Sequence, residues 1–165
     1  MTLHNLMIVS KSGGLIYNTA LSPTAPSVSI NDWLRMGSTF HSLHEIAAQC
    51  SPVSNDEGIL SIECGSFVIR CLQSPTGTKF IMTASANAFN PSLEIPPPSL
   101  ESALSPTPSP NTVAANNASN AVATLLREVY CIYSDYVLKN PFYELEMPIR
   151  CEKFDQKLQE RLNKS

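Results

Sequence analysis

A long proline-rich stretch divides this chain of 165 residues into two unequal parts. Residues 85–118 hold seven of the 13 prolines, many Ser, Asn and Ala residues, and only two charged residues, Glu94 and Glu101. A segment of this composition has too little apolar surface to form a packed core, and a domain tolerates it because the free energy of closing a loop grows slowly with loop length. We therefore predict a single domain over residues 1–165, with residues 85–118 as a disordered insertion between the fifth strand and the second helix.

The charge balance excludes one large class of function. The chain has 11 basic and 14 acidic residues and a formal net charge of −3, whereas a domain that binds nucleic acid usually has a basic excess. No apolar run approaches the roughly 20 residues that span a bilayer. The first ten residues lack the basic region and the cleavage site of a secretory signal. We therefore expect a cytoplasmic chain without a nucleic-acid partner.

Five short segments have the apolar pattern of β-strands. Leu3–Val9 is almost continuously apolar, and a glycine-containing turn connects it to Leu15–Tyr17, which predicts a β-hairpin. Three further antiparallel strands are predicted over Gly58–Cys64, Ser66–Leu72 and Lys79–Thr83. Apolar residues occur on both faces of these strands, so we expect helices to cover both sides of the sheet.

Three segments have helical periodicity. The first begins after Ser29, a potential N-cap, and ends at Cys50 before Pro52. Its apolar residues recur every three or four positions and predict one buried face: Trp33, Met36, Phe40, Leu43, Ala47 and Cys50. The other two helices are predicted over Asn120–Lys139 and from about Ile149 to Asn163. The resulting order, β-β-α-β-β-β-α-α, is typical of an α+β domain.

The cysteines and histidines do not point to a metal site or a disulfide framework. The five cysteines, at positions 50, 64, 71, 131 and 151, form no CxxC pair, and we expect them to be small buried side chains. His41 and His44 lie three positions apart, but no third metal ligand has a supporting spacing. No nucleophile–base pattern is present either, so we expect no catalytic residue, metal or cofactor. A cytosolic thiol enzyme is the alternative.

Two stretches have the composition of partner-binding surfaces. Asn140–Arg150 contains residue types enriched at interface cores and two prolines that reduce the entropy lost on docking. Its alternative role is a connection that packs onto its own sheet. The second stretch is the exposed side of the first helix, with His41 and His44, for which a solvated face is the alternative.

Four motifs along the chain match one family. They are Phe40–Leu43 (FHSL), Thr76–Phe80 (TGTKF), Ile132–Tyr136 (IYSDY) and Lys139–Glu152 (KNPFYELEMPIRCE), followed by Phe154 and Asp155. The last motif is long and specific. Together they closely resemble synbindin-type proteins, the longin-type subunits of the TRAPP (transport protein particle) tethering complex. The resemblance covers residues 3–84 and 119–162, and the proline-rich stretch departs from the family pattern.

The resemblance implies a longin (profilin-like) fold, in which a five-stranded antiparallel sheet carries one helix on one face and two on the other. It also implies a subunit that is no enzyme by itself and pairs with other TRAPP subunits, including a second longin-type subunit. The assembly would promote guanine nucleotide exchange on a Rab GTPase of the early secretory pathway and tether vesicles between the endoplasmic reticulum and the Golgi. The chain would then be cytoplasmic and peripheral at endoplasmic reticulum and cis-Golgi membranes.

We expect the contacts with partners to come mainly from the last motif. Within it, Glu144, Glu146 and Glu152 are candidates for charges near the GTPase. The full set of predicted partner-binding residues is Phe142, Tyr143, Glu144, Glu146, Met147, Arg150, Glu152, Phe154, Asp155, His41 and His44. The alternative function is a structural longin-type small chain of a vesicle coat or fusion apparatus.

Overall fold

In the part of the chain that the structure describes, five strands and three helices follow one another in the predicted order. The computed structural model describes residues 3–23, 25–52, 58–64, 67–85 and 110–162. The strands are β1 (Leu3–Val9), β2 (Leu15–Ala20), β3 (Ser61–Cys64), β4 (Phe67–Gln73) and β5 (Lys79–Ser85). The helices are α1 (Ile30–Cys50), between β2 and β3, and α2 (Pro110–Tyr133) and α3 (Glu152–Leu162), after β5. A five-residue π-helical segment, Ser134–Leu138, continues α2.

The strands form one antiparallel sheet, with β1 and β5 in its interior. The order across the sheet is β2-β1-β5-β4-β3, so that β2 and β3 are the outer strands. The predicted hairpin of β1 and β2 is present, and β5 pairs with both β1 and β4. The predicted five-stranded antiparallel sheet is therefore confirmed.

The side chains of the strands alternate between the two faces of the sheet, so the domain has a separate apolar core on each face. In β1, Leu6 and Ile8 point to the face covered by α2 and α3, whereas Met7 and Val9 point to the face covered by α1. Because successive side chains of a strand point to opposite faces, a nearly continuous apolar strand must be covered on both sides. The predicted arrangement, one helix on one face and two on the other, is confirmed.

Helix α1 begins where the sequence predicts, and its buried face shares Trp33 and Phe40 with the predicted one but is rotated from it. Ser29 caps the helix, because its side-chain oxygen accepts a hydrogen bond from the N–H of Asp32 at 3.2 Å. The buried residues are Trp33, Gly37, Phe40 and His44, whereas Met36 and Leu43 are exposed. Gly37 explains the rotation: a Cβ there would lie 3.4 Å from Val9, so the helix approaches β1 closely at this position.

Helix α2 begins ten residues earlier than predicted, at Pro110 instead of Asn120. Proline is favoured in the first turn of a helix, because its missing N–H would have no intrahelical acceptor there. Residues 110–118 therefore belong to the helix and not to the insertion, which is a correction of the predicted boundary. Residues 86–109, the greater part of the predicted insertion, lie outside the described residues. In the described part of the chain, no helix combines the length and apolarity needed to cross a bilayer.

Helix α3 begins at Glu152, three residues after the predicted start at Ile149. The N–H of Ile149 instead donates a hydrogen bond to the carbonyl of Ile16 at 2.8 Å, at the outer edge of β2. The chain is therefore attached to β2 before it turns into the helix.

The cysteine that the fold buries most deeply is poorly suited to nucleophilic chemistry. Cys71 lies on the α1 side of β4, and burial raises the pKa of its thiol to about 12. Since the thiolate is the reactive form of cysteine, this side chain stays protonated and inert near neutral pH. Cys50 and Cys131, by contrast, are exposed, so the expectation that the cysteines are buried is wrong for these two.

Candidate partner-binding surface

The connection between the π-helical segment and α3 contains most of the predicted partner-binding residues. We call Asn140–Cys151 the α2–α3 loop. Its first turn is built on Asn140, whose side-chain oxygen accepts a hydrogen bond from the N–H of Phe142 and whose carbonyl accepts one from the N–H of Tyr143, both at 3.1 Å. Asparagine stabilises turns in this way, because its side chain satisfies a backbone N–H that has left the helix. The loop therefore starts with a defined direction.

A second turn follows over Glu144–Met147 and is held from outside the loop. The N–H of Met147 donates to the carbonyl of Glu144 at 3.3 Å, and Glu146 has a φ of 69°. A non-glycine residue rarely adopts this left-handed conformation unless its surroundings hold it there. The hydroxyl of Ser12, in the β1–β2 turn, donates a 2.9 Å hydrogen bond to the Glu146 carboxylate. The β1–β2 turn therefore braces the α2–α3 loop.

Two further hydrogen bonds fix the inner side of the loop, one within the loop and one to β2. The hydroxyl of Tyr143 donates to the carbonyl of Met147 at 3.0 Å, which ties the two turns together. Burial and the neighbouring Tyr133 raise the pKa of Tyr143 above its usual value, so its hydroxyl remains protonated and able to donate. The bond between Ile149 and Ile16 fixes the end of the loop to β2. The loop is an ordered part of the domain and not a loose connection.

The outer side of the loop displays large apolar side chains to solvent. The exposed fractions are 92% for Phe142, 74% for Leu145 and 54% for Met147. Leu138, just before the loop, is also exposed. Single exposed apolar residues are ordinary, but several on one braced loop indicate an interaction site. Binding at this site would cost little conformational entropy, because the backbone that carries these side chains is already fixed.

Charged residues border this apolar patch. Glu144, Arg150 and Glu152 are exposed, and Glu146 is exposed although its carboxylate accepts from Ser12. Lys139 is paired with Asp135 at 2.6 Å, and this hydrogen bond raises the pKa of Lys139. The arrangement, with apolar residues in the centre and charged residues around them, is that of protein–protein interfaces.

Two of the predicted contact residues, Phe154 and Asp155, make contacts within the fold. Phe154 is completely buried in the core between the sheet and α3, and its ring packs edge-to-face on Tyr17 at a centroid distance of 5.1 Å. It therefore cannot touch a partner, and its prediction as a contact is wrong. Asp155 is exposed, but its carboxylate accepts a 2.7 Å hydrogen bond from the Tyr17 hydroxyl. Both residues fix the start of α3 against β2 and so position the end of the loop.

The predicted histidine surface on α1 is not present as expected. His44 is buried, and its ring and carbonyl lie against Gly58, where a Cβ would approach them to 2.8 Å. The expected exposure of His44 is therefore wrong, because the buried face of α1 is rotated relative to the prediction. His41 is partly buried, and its Nδ1 accepts a hydrogen bond from the ammonium group of Lys79 at 3.2 Å.

A buried lysine joins α1 to the start of β5. Lys79 is 1% exposed, and its ammonium group donates to Glu45 at 2.9 Å as well as to His41. The hydrogen bond from Lys79 lowers the pKa of Glu45 below its usual value of 4.5. A buried charge needs such partners, since its desolvation is costly. The cluster of Lys79, Glu45 and His41 therefore anchors the second half of α1 to the sheet.

We predict different results for removal of the two members of the Lys79–Glu45 pair. Glu45→Gln leaves the buried ammonium group without its counter-charge and should lower the free energy of unfolding by about 1 kcal/mol, because the half-exposed carboxylate is screened by solvent. Lys79→Met removes the buried charge while retaining most of the side-chain length, and it should change stability by less than about 1 kcal/mol in either direction. Urea denaturation of the two variants at pH 7 measures both values.

The pH dependence provides the control. The folded-state pKa of Glu45 is below 4.5, so its contribution is fully present above pH 4.5 and is lost as the pH falls through the folded-state pKa. The difference in unfolding free energy between the wild-type chain and Glu45→Gln should therefore shrink on acidification. A difference that stays constant from about pH 7 to about pH 3 would contradict this account.

Two residues that shape this surface, Leu145 and Ser12, are absent from the predicted set. Leu145 is more exposed than the predicted contact Met147, yet the predicted set does not include it. Its position between Glu144 and Glu146 is the available signal, since a leucine between two acidic residues of a loop has little chance of burial. Ser12 is distant in the sequence from the loop it braces, and no local pattern indicates its role.

Similarity to known proteins agrees with the fold and with the motifs. The model of the Sybindin-like family matches residues 3–94 and 112–165. A protein of Dictyostelium discoideum named Trafficking protein particle complex subunit 4 is 40% identical over 159 residues, which cover 96% of this chain and 94% of the relative. Proteins of the same name from Bos taurus and Homo sapiens are 38% identical over 133 residues, or 81% of this chain and 47% of each relative. The chain thus spans about half the length of these mammalian relatives.

Solved structures that resemble this chain have low sequence identity to it. The gliding protein MglB from Thermus thermophilus has a TM-score of 0.43 and 7% identity, over 76% of this chain and 79% of that chain. The Roadblock/LC7 domain from Streptomyces avermitilis has a TM-score of 0.40 and 12% identity, over 77% of this chain and 88% of that chain. The assignment to a family therefore comes from the sequence comparisons, in which the family model covers most of the chain and a relative is similar along nearly its whole length. The chain belongs to the Sybindin-like family.

Proposed function

We propose that this chain is a subunit of a TRAPP complex and that it binds its partners through the α2–α3 loop. The exposed, braced apolar patch of Phe142, Leu145 and Met147 is the observation that carries the proposal. Support for the type of assembly comes from the relatives named as subunit 4 of a trafficking protein particle complex. The apolar centre of the patch packs against a sister subunit, because permanent contacts bury large apolar side chains.

The charged border serves a second, weaker contact with a Rab GTPase of the early secretory pathway. Glu144 and Glu152 are exposed on the loop and at the start of α3, where both can face a basic surface of the GTPase. Glu146 contributes less to this contact, since its carboxylate is engaged by Ser12. Exposed charges of this kind steer association and fix orientation more than they add affinity.

Nucleotide exchange by such an assembly requires no covalent chemistry. A complex that binds the nucleotide-free GTPase more tightly than the loaded form must weaken nucleotide binding by the same factor. Surfaces that hold the switch loops of the GTPase in an open position are sufficient. This chain contributes part of that surface and is not an exchange factor by itself. The assembly recruits it to endoplasmic reticulum and cis-Golgi membranes as a peripheral component that tethers vesicles between the two.

The exchange reaction tests this function directly. The isolated chain should leave the release of fluorescent GDP from the Rab GTPase unchanged, whereas the reconstituted complex containing the chain should accelerate it. The double variant Glu144→Lys, Glu152→Lys should still co-purify with the complex but should slow exchange by about tenfold, since it places two positive charges against a basic surface.

A variant outside the loop controls for the reversal of an exposed acidic charge. Glu160 lies on α3, where it pairs with Lys157 of the same helix, and Glu160→Lys should leave both co-purification and exchange unchanged. Exchange activity of the isolated chain, or an equal loss of exchange in Glu160→Lys, would contradict the proposal. Failure of the chain to join a TRAPP complex would overturn it entirely.

A further inference from the structure

Two hairpins of the sheet have turns with the same sequence pattern and the same hydrogen bonds. The β1–β2 turn is Ser10–Gly14 (SKSGG), and the β4–β5 turn is Ser74–Thr78 (SPTGT). In each turn, the N–H of the first serine donates to the carbonyl of the fifth residue at 2.8 Å. The hydroxyl of that serine accepts a hydrogen bond from the N–H of the fifth residue, at 3.1 Å in the first turn and 3.0 Å in the second. The two turns are therefore a matched pair within one molecule.

In the β1–β2 turn, these hydrogen bonds continue into the α2–α3 loop. The Oγ of Ser12 lies 2.9 Å from the Oγ of Ser10, and the Ser12 hydroxyl donates to the Glu146 carboxylate at 2.9 Å. Because a hydroxyl has a single proton, Ser10 must be the donor to Ser12. The N–H of Gly14 donates in turn to Ser10. Three hydrogen bonds therefore run in one direction, from the turn backbone to the carboxylate of the loop.

The corresponding hydroxyl of the β4–β5 turn belongs to Thr76 and makes a different set of contacts. It lies 2.8 Å from the Oγ of Ser74, much as Ser12 lies beside Ser10, but among the described residues it bonds to no carboxylate. Both Ser12 and Thr76 are exposed. Since the second turn forms with its internal hydrogen bonds alone, the contact of Ser12 with Glu146 is not needed to build the first.

The contact acts on the part of the loop whose backbone conformation is least favourable. Glu146 has a φ of 69°, and the turn around it is closed by a long hydrogen bond of 3.3 Å from the N–H of Met147 to the carbonyl of Glu144. A left-handed conformation of this kind persists where surrounding contacts hold it. Loss of the Ser12 contact would therefore release the turn that positions Leu145 and Met147 in the apolar patch.

We propose that Ser12 is a phosphorylation site and that a phosphate there releases the α2–α3 loop from the β1–β2 turn. The Ser12 hydroxyl oxygen forms a bond to the terminal phosphorus of a nucleoside triphosphate, and the bond between that phosphorus and the bridging oxygen breaks. The hydroxyl proton passes to a basic group of the protein kinase, and a nucleoside diphosphate leaves. Ser12 is accessible to such an enzyme, because it is exposed in a turn at the end of the sheet, between Lys11 and Gly13.

Phosphorylation turns an attractive contact into a repulsive one. The modified side chain has lost the proton that it donates, and it carries a charge of about −1.5 to −2 near neutral pH. It would face the Glu146 carboxylate, which lies 2.9 Å from the Ser12 hydroxyl, and two anions this close repel each other. Lys11 is adjacent in the sequence, but its stem lies against the neighbouring turn, 3.0–3.3 Å from where a Cβ on Gly77 would lie. The loop would therefore move away from the β1–β2 turn.

This inference rests on the proposed function, because it supplies a means of regulating the same docking surface. A released loop no longer holds Leu145 and Met147 in position, so a partner would have to order the backbone again on binding. The phosphorylated subunit should therefore have a lower affinity for its complex, and the modification would favour the free subunit over the assembled one.

The full chain with phosphoserine incorporated at position 12 during translation tests the two steps separately. Hydrogen exchange at the N–H of Met147 reports on the loop itself, and it should be at least about tenfold faster than in the unmodified chain. Titration into a complex assembled without this subunit reports on docking, and the affinity should fall about tenfold.

The two turns supply the matched control variants. Ser12→Glu should reproduce both effects of the phosphate, whereas Thr76→Glu, at the equivalent position of the other turn, should change neither value by more than about twofold. Adding Glu146→Gln to Ser12→Glu removes the second charge and supplies an amide that can donate to the introduced carboxylate, so this double variant should recover most of the affinity. Ser12→Ala loses the hydrogen bond without adding a charge and should have a smaller effect than Ser12→Glu.

The modification itself is tested by mass spectrometry of the chain isolated from cells. Phosphate on Ser12 should be found in the fraction of the chain outside the complex and should be depleted from the assembled fraction. Its absence from Ser12 in both fractions would overturn the proposal.

The remaining outcomes distinguish this proposal from the proposed function. Unchanged exchange at Met147 in the phosphorylated chain, or an equal effect of Thr76→Glu, would overturn the role of Ser12 and leave the proposed function standing. Faster exchange with unchanged affinity would instead overturn the docking role of the loop, and with it the regulation through Ser12.

Discussion

Replacing Phe142 by alanine is expected to abolish most of the affinity of this subunit for its complex without changing its own stability. The side chain is 92% exposed, so it contributes almost nothing to the fold of the isolated chain. It projects from a turn fixed by Asn140, and its neighbour Leu145 is also exposed. An aromatic side chain at the centre of an interface commonly costs about 2 kcal/mol or more on truncation, which corresponds to about a 30-fold loss of affinity.

The measurement uses a complex assembled without this subunit. Titration of the wild-type chain and of Phe142→Ala into that complex gives the ratio of the two dissociation constants, and thermal unfolding of each chain alone gives the change in stability. Ile46→Ala is the control, because Ile46 is an exposed apolar residue of α1 outside the loop. An equal loss of affinity in Ile46→Ala, or no loss in Phe142→Ala, would remove the loop from the interface.

The same substitution at the other phenylalanine of this region, Phe154, should have the opposite effect. Phe154→Ala is expected to lower the free energy of unfolding by about 3–5 kcal/mol, the usual cost of truncating a buried aromatic residue. Phe154 is fully buried in the same core as Leu158, and its ring contacts Tyr17. The cavity would open between α3 and β2, where the surroundings include a sheet and cannot collapse easily. Urea denaturation of the isolated chain measures the loss.

A more conservative variant shows whether the loss of stability follows the volume of the side chain that is removed. Phe154→Leu retains most of the apolar volume and should cost clearly less than Phe154→Ala, because volume-conserving changes in a core are tolerated best. A cost below about 1 kcal/mol for Phe154→Ala would contradict the burial described above. Comparison with Phe142→Ala shows whether Phe154 contributes to stability and Phe142 to partner binding, as their burial and exposure lead us to expect.

The sheet could be predicted well because each side chain of a strand can point to only one of two faces. In β1, neighbouring residues such as Leu6 and Met7 must face opposite sides, so a nearly continuous apolar strand requires cover on both faces. The N-cap at Ser29 was equally predictable, since its chemistry is local.

The buried face of α1 could not be predicted in the same way. Apolar residues cover a wide arc of this helix, and periodicity does not specify which part of the arc meets the sheet. Gly37 and His44 are buried although neither is large and apolar, because the sheet surface and Gly58 leave room for them. The start of α2 was missed because residues 110–119 contain no charged residue and resemble the proline-rich stretch before them.

The sequence was sufficient to single out the α2–α3 loop as a candidate surface, but not to predict which of its side chains face solvent and which have structural roles. The motif from Lys139 to Glu152 identified the loop through a resemblance and through its composition. Which side chains point outward depends on the turn at Glu146, whose left-handed backbone is held by Ser12 from another part of the chain. Likewise, the burial of Phe154 depends on its packing against Tyr17 of β2.

The hydrogen bond between Ile149 and Ile16 has a consequence for how such subunits can be joined. It occupies a backbone acceptor on the outside of β2, so an incoming strand would first have to displace the chain at Ile149. The other edge strand of the sheet, β3, has only four residues. If both edge strands of the sheet were free, identical molecules could pair edge to edge without limit. If one edge strand is blocked, this pairing stops after a single addition. The backbone at the end of the α2–α3 loop thereby blocks one edge of the sheet against this kind of polymerisation.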